Sequence, residues 1–186
     1  MNNPRRILQT LDSHLSAPSE ITIFGRAALA LGFPDSPAAF AKTRDVDAIL
    51  PSRWLKAADD NLDFWRAQQR TNADLETEDL YLTHLFREEQ IILTPDWMAK
   101  RVGIQLALRH LSVYRPSTLD LILSKTMRGD ENDLADIRFL LSQEHFSGGE
   151  LAAAFSGARV PDVPEIREFF AKAQPKVLAM AAGRIE

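Results

Sequence analysis

Residues 21–50, ITIFGRAALALGFPDSPAAFAKTRDVDAIL, constrain this chain more than any other segment. They read as a strand ending at Phe24, a turn at Gly25-Arg26, a short helix over residues 27–31 closed by Gly32, a proline-containing loop, and a second strand over residues 43–50. The second strand sets Asp45 and Asp47 among Val46, Ala48, Ile49 and Leu50. Alternate side chains of a strand share a face, so both carboxylates point the same way, about 7 Å apart along the chain. Two like charges in water-poor surroundings need a partner. A divalent cation is one candidate, since Mg²⁺ takes one or two carboxylates together with substrate phosphates. The other reading has one Asp capping a turn and its neighbour pairing with Arg44 or another cation. The Gly25-Arg26 turn feeds a helix whose first N–H groups attract anions. An anion cradle and paired carboxylates within one supersecondary unit point to metal-assisted chemistry on a nucleotide.

Composition narrows the setting. The chain has 186 residues, 45% hydrophobic and 26% charged, which fits one good core or one domain with a helical appendage. A net charge of −4 argues against a general nucleic-acid coat protein while leaving room for a local basic cleft. With no cysteine, disulfides, thiolate catalysis and Cys-ligated metals are excluded. The first residues, MNNPRRILQTLDSHL, are too polar for a signal-peptide core, and no apolar run approaches a membrane span. The expectation is a soluble, cytoplasmic protein with no membrane partner.

Along the chain, Ile7, Leu8, Leu11 and Leu15 form one stripe of an amphipathic helix opened by Pro4. Pro51 and Ser52 start a helix expected to run to about Thr71, with Trp54, Leu55, Leu62 and Trp65 as core candidates. Residues 72–79 read as an acidic loop. Residues 80–86 and 90–93 read as a hairpin about Arg87-Glu88-Glu89, and a further strand lies near residues 110–114. The rest is helical: one helix from Pro116-Ser117, with Ser117 and Asp120 at capping-box spacing, to Gly129; one over residues 131–143; and two weaker ones over residues 150–155 and 164–182. Gly148-Gly149 is the best candidate for a loose joint. Strands interleaved with helices, then an all-helical C-terminal third, predict an α+β fold: a small mixed β-sheet flanked by helices, with a helical C-terminal part.

Several other residues admit two readings. Arg26 can clamp a phosphate bidentately or pair with a nearby carboxylate. Lys125 and Arg128 end one helix while Asp133 and Asp136 share a face of the next; this is either a phosphate-handling cluster or solvated capping of helix dipoles. His84 sits in a predicted strand, as a half-buried hydrogen-bonded residue or as part of a site. Trp54, Trp65 and Trp97 read as core rather than as base-stacking platforms. With four His and no H-E-x-x-H spacing, a zincin site is out, and there is no P-loop.

Phe24-Gly25-Arg26 followed by Asp45-Val46-Asp47 resembles the nucleotidyltransferase superfold, whose signature is a Gly-Gly or Gly-Ser turn after a strand and then an Asp-x-Asp strand. The later block DLILSKTMRGDENDLADIRFLL is similar to the Lys…Arg…Asp-x-x-Asp block of a narrower group. That group comprises the toxin halves of type IV abortive-infection (AbiEii-like) toxin–antitoxin pairs and their uncharacterised bacterial relatives; YLTHLF…ILTPDW is similar to the latter. The resemblance spans about residues 20–141. It implies a nucleotidyltransferase-like α/β core over residues 1–115 and a helical subdomain over residues 116–186. It implies Mg²⁺ on Asp45 and Asp47, a nucleoside triphosphate bound by Gly25, Arg26, Lys125 and Arg128, and catalytic roles for Asp45, Asp47, Lys125 and Asp133, with Asp136 adjacent. The implied reaction moves a nucleoside monophosphate from the triphosphate to an RNA end or a protein, and the implied partner is a cognate antitoxin. Position 26 holds Arg where the family has Gly or Ser, and no third carboxylate is assigned; Asp79 and Glu89 are candidates by proximity, with His84 in the middle of the intervening strand. Those departures support a second reading, a catalytically degenerate fold that binds nucleotide or a protein partner without turnover. A third is an interaction module whose C-terminal helices bind an antitoxin-like protein.

Overall fold

The computed structural model describes residues 2–50, 54 and 61–183. The chain divides into two compact units. The first holds the chain up to Glu88 together with Arg101–Arg115, and the second holds Glu89–Lys100 and the chain from Pro116 onward.

In the first unit, Asn2 caps helix α1 (Asn3–His14) by accepting from the Arg5 N–H at 3.0 Å, and Pro4 sits in the first turn where no N–H is needed. Its stripe of Ile7, Leu8 and Leu11 is fully buried. Strand β1 (Ser19–Phe24) passes directly into α2 (Gly25–Gly32), and a single 3₁₀ turn over Phe40–Lys42 leads to β2 (Asp45–Leu50). Helix α3 (Leu62–Leu75) packs on α1, with Phe64, Ala67, Thr71 and Leu75 turned inward. The remaining strands are β3 (Tyr81–Arg87), β4 (Val102–Ile104) and β5 (Leu111–Arg115). Together they make a five-stranded mixed sheet in the order β3-β2-β1-β5-β4. β1 is central, antiparallel to β2 (Phe24 opposite Asp47) and parallel to β5 (Ser19 opposite Leu111). Asp12 secures β5 from α1: its carboxylate accepts the N–H groups of Arg109, His110 and Leu111 at 2.9, 2.7 and 2.8 Å.

The α+β architecture with a helical C-terminal part is as the sequence predicts. Several local expectations differ. Helix α3 continues to Leu75 and a 3₁₀ turn spans Glu76–Glu78, so residues 72–79 are not a loop. Asn72 is the reason: its side-chain amide donates to the Leu82 carbonyl at 3.1 Å and accepts the Leu82 N–H at 2.7 Å, giving the outer edge of β3 helical partners in place of another strand. Leu62 is exposed rather than core, while Trp54 is buried; Pro51, Ser52 and Leu55 lie outside the described residues. The expected hairpin is absent among the described residues. β3 pairs with β2 in parallel, and Ile91, Ile92 and Leu93 are buried as an irregular segment of the second unit, where Leu93 bridges Arg159. A short apolar run reports burial before it reports strand.

The second unit contains α4 (Thr118–Thr126), α5 (Glu131–Gln143), α6 (Gly148–Gly157) and α7 (Pro164–Ala181). Ser117 caps α4, and buried Asp120 accepts both the N–H (2.7 Å) and the hydroxyl (2.9 Å) of Thr94, which ties the 89–100 segment to that helix. Gly129, with φ +60°, turns α4 into α5; a Cβ there would come within 2.5 Å of the Ala173 methyl on α7. Gly148-Gly149 is not a loose joint: the pair forms the first turn of α6, where Ser147 and Glu150 make a reciprocal capping box. Among the described residues, no helix is long and apolar enough to cross a membrane.

Candidate functional site

The geometry around β2 starts from the tight passage between β1 and α2. Gly25 takes φ +64°, a left-handed conformation that a side chain disfavours, and its position is tight as well: a Cβ would stand 3.2 Å from Asp47 Oδ2, closer than an ordinary contact. The glycine therefore lets the start of α2 approach the acidic strand. Asp45 and Asp47 point to the same side, as alternation requires, and both are partly exposed. Asp45 Oδ1 accepts the Thr43 hydroxyl at 2.7 Å. Arg44 does not neutralise the pair; it bridges Asp79, an exposed residue at φ +56°. Asp79, one candidate for a third carboxylate, is thereby engaged elsewhere, and Glu89 belongs to the other unit. Arg26, exposed, lies with its guanidinium 5.8 Å from the centre of the Phe40 ring.

The third group beside the carboxylates is His84. The β2/β3 register runs Asp47 opposite Thr83 and then Ala48 opposite Leu85, so His84 is the extra residue of a bulge. Its φ of +47° lies in the left-handed region, rare for a residue with a side chain. The bulge takes His84 out of the strand's alternation and brings Nδ1 to 3.0 Å from Asp47 Oδ1, with the Thr83 hydroxyl 3.2 Å away. The ring stacks on Phe86 (centroids 5.8 Å, planes at 21°), and Phe86 meets Phe24 edge-on at 5.5 Å. One donor atom from each of Asp45, Asp47 and His84 lies within 4.8 Å of the other two. Two anionic oxygens and an imidazole nitrogen, converging at a partly open position, are a donor set suited to a divalent cation. The sequence signal for His84 was weak, because a bulge leaves no mark in residue periodicity.

In the second unit, Lys125, Arg128, Asp133 and Asp136 come together as a buried network rather than as solvated capping. Lys125 Nζ lies 2.7 Å from Asp136 Oδ2 and 3.2 Å from Asp133 Oδ1. Arg128 grips Asp133 with two nitrogens at 2.9 and 3.0 Å, and Asp130 caps α5 by accepting the Asp133 N–H at 2.9 Å. Both aspartate side chains are 2% exposed and Lys125 11%, whereas Arg128 is 65% exposed. The i,i+3 spacing of the two aspartates does place them on one face; folding of α4 against α5 then removes that face from water.

The fold and this cluster define an α+β protein in which a glycine-started helix meets a paired-carboxylate strand. The chain belongs to the family described as nucleotidyltransferase of unknown function (DUF6036), which it matches over residues 5–146. No curated protein and no solved structure matches it.

Proposed function

We propose that the protein is a divalent-cation-dependent nucleotidyltransferase that moves a nucleoside monophosphate from a nucleoside triphosphate to an RNA end or a protein. The observation that carries this reading is the convergence of Gly25, Asp45 and Asp47: the glycine stands where a Cβ would crowd Asp47 Oδ2, leaving backbone beside carboxylate. The residues present fit the Mg²⁺ implied by the family, with Asp45 and Asp47 to hold it. When bound, the cation would supply charge neutralisation at the reacting phosphate and a lower pKa for the attacking hydroxyl.

The chain's own residues supply the rest. The first N–H groups of α2 bind the phosphate chain, which reaches them because position 25 has no side chain. Arg26, one residue into that helix and exposed, adds a guanidinium to the outer phosphates. Thr43 holds Asp45 by its hydroxyl, so that carboxylate does not have to be ordered when substrate arrives. In the helical unit, Lys125 and Arg128 are assigned to phosphate binding, with Asp133 orienting both; the Asp133 contacts to each support that orienting role. The order of the two blocks along the chain supports kinship with the abortive-infection toxins, and with it an antitoxin partner.

A second reading, a fold that binds nucleotide without turnover, is favoured by one observation: the expected third carboxylate is replaced by His84. One assay separates them. Each nucleoside triphosphate is titrated with Mg²⁺ or Mn²⁺ while pyrophosphate release is followed. Release that disappears in Asp47→Asn supports transfer; tight binding without release supports the second reading; no binding with either cation refutes both.

A further inference from the structure

We infer that His84 is itself a metal ligand, and that it tunes the Asp45–Asp47 centre toward a first-row transition dication such as Mn²⁺ and away from Mg²⁺. The inference rests on the metal-binding reading of that pair. Three observations carry it. First, the Nδ1–Oδ1 separation of 3.0 Å between His84 and Asp47 equals the spacing of adjacent ligands around an octahedral cation, about 3 Å for bonds of about 2.1 Å. Asp45 lies within the same 4.8 Å cluster, so a movement of under about 2 Å by one carboxylate completes a three-donor face. Second, the imidazole is in this place only because of the bulge. In an unbroken strand, position 84 would follow the alternation of Leu82, which is fully buried, and face away from Asp47. Third, the ring is held in orientation by Phe86 while its side chain remains 62% exposed, which leaves the opposite face of a bound cation open to water and phosphate oxygens.

The chemistry then sets the preference. Mg²⁺ is a hard ion that favours oxygen donors and retains its waters; Mn²⁺ also takes carboxylate and water oxygens but, as a first-row transition ion, accepts an imidazole nitrogen more readily than Mg²⁺ does. Replacing an expected carboxylate by His also leaves the centre with one negative charge fewer, which weakens the purely electrostatic hold on Mg²⁺ relative to a site of three carboxylates.

The test uses the full chain, freed of metal, with MnCl₂ or MgCl₂ alone and no nucleotide. Titration calorimetry gives both affinities, and pulsed paramagnetic resonance of the bound Mn²⁺ reports any directly coordinated nitrogen. The expected result is Mn²⁺ bound at least ~10-fold more tightly than Mg²⁺, with a ¹⁴N coupling in the wild-type protein. His84→Ala removes that coupling and narrows the preference to ~3-fold or less, and His84→Asp reverses it. Because the coupling is read on the unaltered chain, the result does not depend on how well a variant folds. Mn²⁺ that binds, is lost in Asp45→Asn, yet shows no nitrogen coupling overturns the role of His84 and leaves the carboxylate centre standing. Absence of binding, or binding indifferent to Asp45→Asn, overturns both.

Discussion

Replacing Lys125 by methionine tests whether the α4–α5 network is a structural keystone. Methionine keeps an unbranched apolar stem like that of lysine and removes the ammonium with its charge and its N–H donors. Lys125 Nζ is 2.7 Å from Asp136 Oδ2, and that carboxylate is 2% exposed, so water cannot take over from the lost ammonium. Asp133 retains the bidentate Arg128, so the loss falls mainly on Asp136. Breaking a buried ion pair by removing one partner costs about 3–5 kcal/mol, against about 0–1 kcal/mol for an exposed one. For a chain of this size about 1 kcal/mol lowers the melting temperature by about 2–4 °C, so the buried network predicts a fall of roughly 6–20 °C and a solvated cap a fall of under about 4 °C. The assay is thermal unfolding followed by circular dichroism at neutral pH, repeated for Asp136→Leu and for the double variant. Apolar replacement of both partners should return part of the loss, because the buried carboxylate is then removed together with its ammonium. A Lys125→Met protein within ~1 kcal/mol of wild type in urea unfolding would refute the reasoning.

Two further expectations follow from the first unit. Gly25→Ala should destabilise by about 1–2 kcal/mol, since alanine must adopt a left-handed φ, and it should also weaken divalent-cation binding by pushing on Asp47 Oδ2; unchanged urea midpoint and cation affinity would contradict the close approach. Asp12 is raised in pKa by partial burial but more strongly lowered by the N–H groups of Arg109, His110 and Leu111, so its carboxyl sits below the usual range. A depressed folded-state pKa contributes stability that is complete above the unfolded value of about 3.9 and disappears as pH falls through the folded value. Asp12→Asn should therefore unfold with a shallower dependence on pH below about 4 than wild type, measured by urea denaturation across pH 2–7.

The parts of this fold legible in the sequence are those written in periodicity and punctuation. The Ile7–Leu8–Leu11 stripe, the Phe24-Gly25 strand-to-helix passage and the Asp45/Asp47 alternation depend on neighbours within a few residues, and each is found as read. What was not legible depends on distant partners. The 72–79 segment reads as an acidic loop until Asn72 is known to meet Leu82, and residues 90–93 read as a strand until the burial of Ile91, Ile92 and Leu93 in the second unit is seen. Lys125, Arg128, Asp133 and Asp136 were visible as a spacing, but only the packing of α4 on α5 decides whether those charges are wet or dry. His84 was the least legible. A bulge is a property of two strands compared, and a single strand's residues do not announce it.

The interleaving of the two units carries a consequence for synthesis on the ribosome. The central strand β1 gains β2 and its antiparallel ladder early, but its other neighbour, β5, emerges only after Glu89–Lys100 has been made, and that stretch is claimed by the second unit. Asp12 likewise waits 97 residues for the first of its three N–H partners. At about 5–20 residues per second, the nascent chain spends several seconds with the far edge of β1 uncovered. Until Arg115 has cleared the exit tunnel, that unpaired strand edge is the part of the nascent chain most open to wrong pairing.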